Sequence, residues 1–208
     1  MHGVDESTQS RPTLTVFAGP NGSGKTTLTK LFYADPLPGM GILVNADVIA
    51  ANMAKALGLA KADKDLEMQA AHDAEATRFA LMQQRQSFST ETVMSDRNRW
   101  LRFFQLARDR GYLVQLVFIS TRHPSINVAR VLQRVKAGGH PVPPEKIVDR
   151  YSKTHALLPE ILGMVDAAWL FDNSDPTGNP QLVLVMGDDH VLLPESGAEM
   201  PPWALELL

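Results

Sequence analysis

Eight consecutive residues carry the clearest chemistry in this chain. Gly19-Pro20-Asn21-Gly22-Ser23-Gly24-Lys25-Thr26 matches G-x-x-x-x-G-K-[ST] at every fixed position. A phosphate is bulky and anionic, so a backbone that holds it must come close with its N–H groups turned inward. Gly22 and Gly24 remove Cβ obstruction and admit unusual backbone angles. Successive N–H groups can then form an anion-binding nest. A helix opening after Gly24, with Thr27 in its first turn, adds its positive end. Lys25 is expected to face solvent without a ligand and to place its ammonium on the β and γ phosphates when one binds. The Thr26 hydroxyl is a natural Mg²⁺ ligand beside those phosphates.

Further candidates lie downstream. Asp47, in Asn45-Ala46-Asp47, follows a short apolar run. It reads equally as a carboxylate facing the γ phosphate or as the cap of the next helix. Glu91, in Ser89-Thr90-Glu91-Thr92, could hold Mg²⁺ through water or bind a substrate hydroxyl, with Thr92 adding a hydrogen bond, although local sequence alone favours a plain surface strand terminus. No strand ends in the long apolar run plus Asp that usually marks a metal-positioning acid. Arg130 and Arg134 share a helix face, as do Lys146, Arg150 and Lys153. Gly138-Gly139-His140-Pro141-Val142-Pro143-Pro144 lies between them, a flexible point followed by a stiff turn. This pattern reads as a lid over about 123–158, whose Arg134 and Arg150 could stabilise charge on a transferring phosphoryl group. The alternative is a solvated charged face. His140 could bind phosphate or substrate, or simply shape the turn. Asn173, in Asp172-Asn173-Ser174, could contact a nucleotide base or belong to a turn.

These residues need strands and helices to position them. The run 13–18 is apolar and β-branched, as a buried strand requires. Residues 26–33 read as a helix, 41–45 as a strand, and 47–57 and 64–85 as helices. A weaker strand at 87–91 precedes a helix at 97–110, which Gly111 ends. Residues 112–120 form the strongest strand. A helix at 125–137 stops at Gly138-Gly139, and another starts near Pro144 and runs to about 158, where Pro159 interrupts it. Strands are expected at 167–171, 181–185 and 190–193, the last two as an edge hairpin turning at 186–189. Alternating strands and helices call for an α/β fold with a mainly parallel sheet and helices on both faces. The Pro-rich segment 194–202 reads as surface, with 203–208 packing back or fraying. The whole chain, 1–208, reads as a single domain with a flexible tail at 1–11.

Composition narrows the classes. The 208 residues are 44% hydrophobic, enough for a sizeable core, with a net charge of -3 that argues against a globally basic nucleic-acid binder. The absence of cysteine excludes disulfides, thiolate metal sites and cysteine nucleophiles. The polar start of the chain is unlike a secretory signal, and no long uninterrupted apolar stretch predicts a membrane span. A cytoplasmic location is the expectation. The loop's spelling also occurs in transport ATPases, but their downstream Ser-Gly-Gly-Gln signature is matched here only by Ala137-Gly138-Gly139-His140, which departs from it.

Taken together, the chain resembles the zeta-toxin-like P-loop kinases, close to a stand-alone branch. The matching pieces are the loop with Thr27, Asn45-Ala46-Asp47, Phe88-Ser89-Thr90-Glu91-Thr92, Arg134 with Gly138-Gly139-His140-Pro141-Val142-Pro143, Arg150-Tyr151 and Phe171-Asp172-Asn173-Ser174. The resemblance implies a kinase-like fold, ATP and Mg²⁺, and transfer of the γ phosphate to a hydroxyl of a small molecule. UDP-N-acetylglucosamine is the acceptor of founding members, and an antitoxin protein is the implied partner. It also implies Asp47 as the base, Glu91 against substrate, and Arg134 and Arg150 on phosphate. Two other readings stand beside it: an ATP-dependent switch without a dedicated acceptor, and a polynucleotide-end kinase, which the charge does not favour.

Overall fold

The computed structural model describes residues 11–37, 39–139, 141–187, 190–192 and 199–208. A seven-stranded sheet runs through it in the order β2-β3-β1-β4-β5-β6-β7. The strands are β1 (Thr13–Ala18), β2 (Ile42–Val44), β3 (Phe88–Thr92), β4 (Leu113–Ser120), β5 (Ala167–Asp172), β6 (Gln181–Gly187) and β7 (His190–Leu192). The first five pair in parallel, and β6 and β7 add antiparallel at one edge. The expected edge hairpin is present, although residues 188–189 of its turn lie outside the described residues.

Alternation along the central strands sends side chains to two separate cores. Leu14, Val16 and Ala18, with Val114, Leu116 and Phe118, join one cluster with residues of the helices α3 (Lys64–Gln83), α4 (Arg97–Asp109) and α6 (Pro144–Leu162). Phe17, Val117 and Ile119 face the other way, onto Leu28 of α1 (Lys25–Ala34). β1 and β4 are buried along almost their whole length, which explains their continuous apolar sequences. Helices therefore cover both faces of a mainly parallel sheet, as expected.

Two expectations need correction. α6 does not stop before Pro159 but continues to Leu162. An interior proline costs a helix ~3 kcal/mol. Leu157, Leu158, Ile161 and Leu162 are all buried on the far half of α6. At ~1.5–3 kcal/mol per buried side chain, their burial outweighs that cost. Nor is Gly138-Gly139 a simple flexible point. It closes α5 (Pro124–Lys136) with the N–H of Gly138 on Val135 O at 3.0 Å and that of Gly139 on Arg134 O at 2.9 Å. This is the double hydrogen bond of a Schellman cap, and Gly138 supplies the required left-handed residue at φ 89°.

Of the segment 203–208, Trp203 and Ala204 pack back, while Leu205, Glu206 and Leu208 are exposed. Trp203 of the short α7 (Pro202–Leu205) is buried against Phe118 and His155, with ring centroids at 5.6 and 5.7 Å. Of the surface segment 194–202, residues 194–198 lie outside the described residues, as does most of the expected tail at 1–11.

Candidate functional site

The phosphate loop connects β1 to α1 and sits at the C-terminal edge of the parallel strands, beside the ends of β3, β4 and β5. Gly24 adopts φ 103°, and a Cβ there would lie 2.4 Å from Asn173 Nδ2. Only glycine fits both constraints. Asn173 is buried just past the end of β5, where its amide donates to Ser23 O at 2.8 Å. Its position is thus beneath the phosphate loop, which it braces. Asn173 Oδ1 and Ser23 Oγ are both buried without a hydrogen-bond partner among the described residues.

Lys25 differs from expectation. It is buried, and Nζ donates to the carbonyls of Gly19 and Pro20 of its own loop, each at 2.8 Å. Burial lowers its pKa from 10.5 to about 8. Glu91 and Asp47 oppose that shift, while Arg134 and Arg150 reinforce it. Those four charged groups, scattered over more than a hundred residues of sequence, therefore all lie within electrostatic reach of one ammonium.

Glu91 ends β3, the strand adjacent to β1. Its Oε1 accepts from Thr26 Oγ1 at 2.8 Å, and its Oε2 accepts from Asn45 Nδ2 at 3.1 Å and Thr29 Oγ1 at 3.4 Å. A hydroxyl and a carboxylate in contact at the start of the loop helix form a hard-oxygen donor set suited to Mg²⁺. Thr26 and Glu91 would hold the ion, directly or through water. The Thr92 hydroxyl accepts from Met94 N at 2.9 Å and shapes the turn after β3, which leaves its O–H to donate.

The capping question around Asp47 has a clear answer. Asn45 is the N-cap of α2 (Ala46–Ala56), its Oδ1 accepting from the N–H groups of Asp47 at 2.8 Å and Val48 at 3.4 Å. The Asp47 side chain is exposed in the first turn and makes no hydrogen bond among the described residues.

The basic stretch divides its labour. Arg150 on α6 donates from Nη1 to Asn21 Oδ1 at 3.3 Å, reaching the phosphate loop itself. Arg134 lies in the last turn of α5, and its stem crosses Gly139, where an added Cβ would come within 2.6 Å of Arg134 Cγ. Arg130, by contrast, holds the loop after β5, donating to Asn173 O at 2.7 Å and Asp175 O at 3.1 Å. Lys153 pairs with Asp149 on the exposed side of α6. His140 lies outside the described residues.

Two residues of this site escaped sequence reasoning. Asn127, fully buried on α5, donates to Asn21 O at 2.7 Å and accepts from Thr121, tying α5 to the phosphate loop. Its signal was a polar residue four positions before Val131 on the buried stripe of that helix. Thr29, one turn after Lys25, looked like an ordinary helix residue, and only the sheet order brings Glu91 to it.

Residues 14–158 match the family described as AAA domain. An uncharacterized protein of Haemophilus influenzae is 28% identical over 135 residues, which cover 65% of this chain and 89% of that protein. Among solved structures, the AvrRxo1-ORF1:-ORF2 complex with ATP aligns at a TM-score of 0.67 and 21% identity, covering 90% of this chain and 62% of the other. The PezAT chromosomal toxin-antitoxin system of Streptococcus pneumoniae aligns at a TM-score of 0.60 and 16% identity, covering 96% and 78%. This chain thus spans less than two thirds of the AvrRxo1 chain it matches. At these identities the structural likeness establishes the fold.

Proposed function

Since the chain belongs to the AAA-domain family and has a zeta-toxin-like P-loop kinase fold, we propose that it transfers the γ phosphate of ATP to a hydroxyl of a small molecule. The observation that carries this reading is that Glu91 meets Thr26 at 2.8 Å and Arg150 meets Asn21 at 3.3 Å on the phosphate loop, with Asp47 and Arg134 within electrostatic reach of Lys25. Loop N–H groups and Lys25 bind the phosphates. Thr26 and Glu91 would hold Mg²⁺, which would supply positive charge against the phosphate oxygens. Asp47 is exposed and takes no part in capping, so its carboxylate is available to accept the proton of the acceptor hydroxyl. As that proton moves to Asp47, the acceptor oxygen bonds to phosphorus and the bond from phosphorus to the ADP oxygen breaks. Arg134 and Arg150 stabilise the charge spread over the transferring group.

A nucleotide sugar such as UDP-N-acetylglucosamine is the acceptor class in this reading. A protein partner of the antitoxin type belongs to it as well, because PezAT is a toxin-antitoxin pair. ADP release measured with and without a panel of nucleotide sugars, nucleotides and simple sugars tests the proposal. Release stimulated by one acceptor, with the phosphorylated product found by mass spectrometry, supports it. Equal release across the panel would establish an ATP-hydrolysing switch instead.

A further inference from the structure

A second cleft lies on the other side of β3 from Glu91, between α3 and α4. It measures about 670 Å³, within the usual range for small-molecule sites of ~300–1,000 Å³. Three guanidiniums line it, those of Arg78, Arg99 and Arg102, together with the carboxylates of Glu75 and Asp96. Positive charge is therefore in excess.

The excess is concentrated at Arg78. Only 7% of this residue is exposed, yet its one hydrogen bond among the described residues is to a neutral hydroxyl, Thr90 Oγ1, at a long 3.4 Å. The nearby carboxylates are engaged elsewhere. Glu75 pairs with Arg99 at 3.2 Å, and Asp96 caps α4 by accepting from Arg99 N at 3.1 Å. Burial and the neighbouring Arg99 push the Arg78 pKa down to about 10, and the Glu75 carboxylate offsets this only in part. A buried guanidinium is costly unless an anion compensates it. Arg102, exposed on α4, makes no ion pair among the described residues.

Three aromatic rings, those of Phe79, Trp100 and Phe103, join Asn98 and Leu106 in the rest of the lining. Phe103 lies 6.0 Å from the Arg78 guanidinium and packs edge-on against Trp100 at 5.3 Å. Phe79, against Phe103 at 6.3 Å, is 39% exposed and offers a ring to a ligand. Guanidinium forks match the oxygens of a phosphate, and an open aromatic ring offers a stacking surface.

We propose that this cleft is a binding site, separate from the phosphate loop, for a phosphate monoester carried on a planar ring, of the nucleoside monophosphate class, with the phosphate on Arg78 and Arg102 and the ring against Phe79. Calorimetric titration of AMP into protein saturated with Mg²⁺ and a non-hydrolysable ATP analogue tests it, with adenosine and inorganic phosphate as separate probes. One additional AMP site is expected, at least tenfold tighter than either probe alone. Arg102→Glu and Arg78→Met should each weaken it at least tenfold. Arg102 is exposed, so its variant remains informative if Arg78→Met fails to fold. Absence of AMP binding, AMP binding unchanged in Arg102→Glu, or adenosine or phosphate binding as tightly as AMP would each overturn the proposal.

Discussion

The Thr26 hydroxyl donates to Glu91 Oε1 at 2.8 Å, joining the first turn of the loop helix to the end of a strand 65 residues further along the chain. The contact is made because β3 lies directly beside β1, with Phe17 opposite Glu91 in the parallel register. It puts a carboxylate where the phosphate loop would present its metal ligand.

Glu91→Gln keeps the size of the side chain and removes its charge. Mg²⁺ affinity in the presence of ATP should fall ~10–100-fold, the range seen when a group supporting a metal site is lost. Binding of metal-free ATP should change little. Unaltered Mg²⁺ dependence of turnover would remove Glu91 from the metal site and return it to a role against the acceptor.

Asp47→Asn separates catalysis from structure. Asn45 already caps α2, so the melting temperature should stay within a degree or two. ATP should bind within severalfold of wild type, while phosphate transfer slows at least ~10²-fold, the lower range for loss of a general base. Asn45→Ala should behave oppositely, lowering stability by ~1 kcal/mol through the lost cap. Full activity of Asp47→Asn with a verified acceptor would refute the base assignment.

The lowered pKa of Lys25, about 8, has two consequences of opposite sign. ATP phosphates favour the protonated ammonium, so affinity should be constant below pH 8 and decline by up to tenfold per unit above it, as binding becomes coupled to proton uptake. Stability of the ligand-free protein should instead rise between pH 8 and 10.5. Over that range the unfolded chain holds a proton on Lys25 that the folded chain has lost. Lys25→Met should abolish productive ATP binding and remove the Lys25 contribution to the stability slope. A wild-type affinity flat from pH 7 to 9.5 would contradict the buried setting of this lysine.

Arg134→Ala and Arg150→Ala should lower turnover by ~10³-fold or more, as loss of an arginine acting on the transferring phosphoryl group does, with little change in melting temperature. Arg150→Ala should additionally weaken ATP binding, since Arg150 reaches Asn21 of the phosphate loop. Normal turnover in both would leave the stretch as a charged surface.

His155 supplies a stability test. It sits between Tyr151, Phe118 and Trp203, and burial lowers its pKa below 6.5. Its Nδ1–H donates to Tyr151 O at 2.8 Å, and in the neutral ring Nε2 accepts from Ser120 Oγ at 2.9 Å. The unfolded chain takes up a proton first as the pH falls through 6.5. Stability should therefore drop below that pH until the folded-state pKa is reached. His155→Phe should flatten this part of the curve, measured as melting temperature against pH from 7 to 4.5.

Sequence alone determined what depends on short stretches of backbone. Gly19 to Thr26 act through adjacent N–H groups between a strand and a helix, so eight residues suffice to identify the loop. Hydrophobic runs and their spacing likewise marked the alternating strands and helices and placed Asp47 just after β2. Tertiary structure decided what depends on register between distant segments. It set Glu91 against Thr26, buried Lys25 on its own loop, turned Arg150 to Asn21 but Arg130 to the loop after β5, and enclosed Arg78. It also carried α6 through Pro159. Each of these outcomes rests on which strands pair and which helices cover them, and that burial outweighs the local preferences a sequence displays.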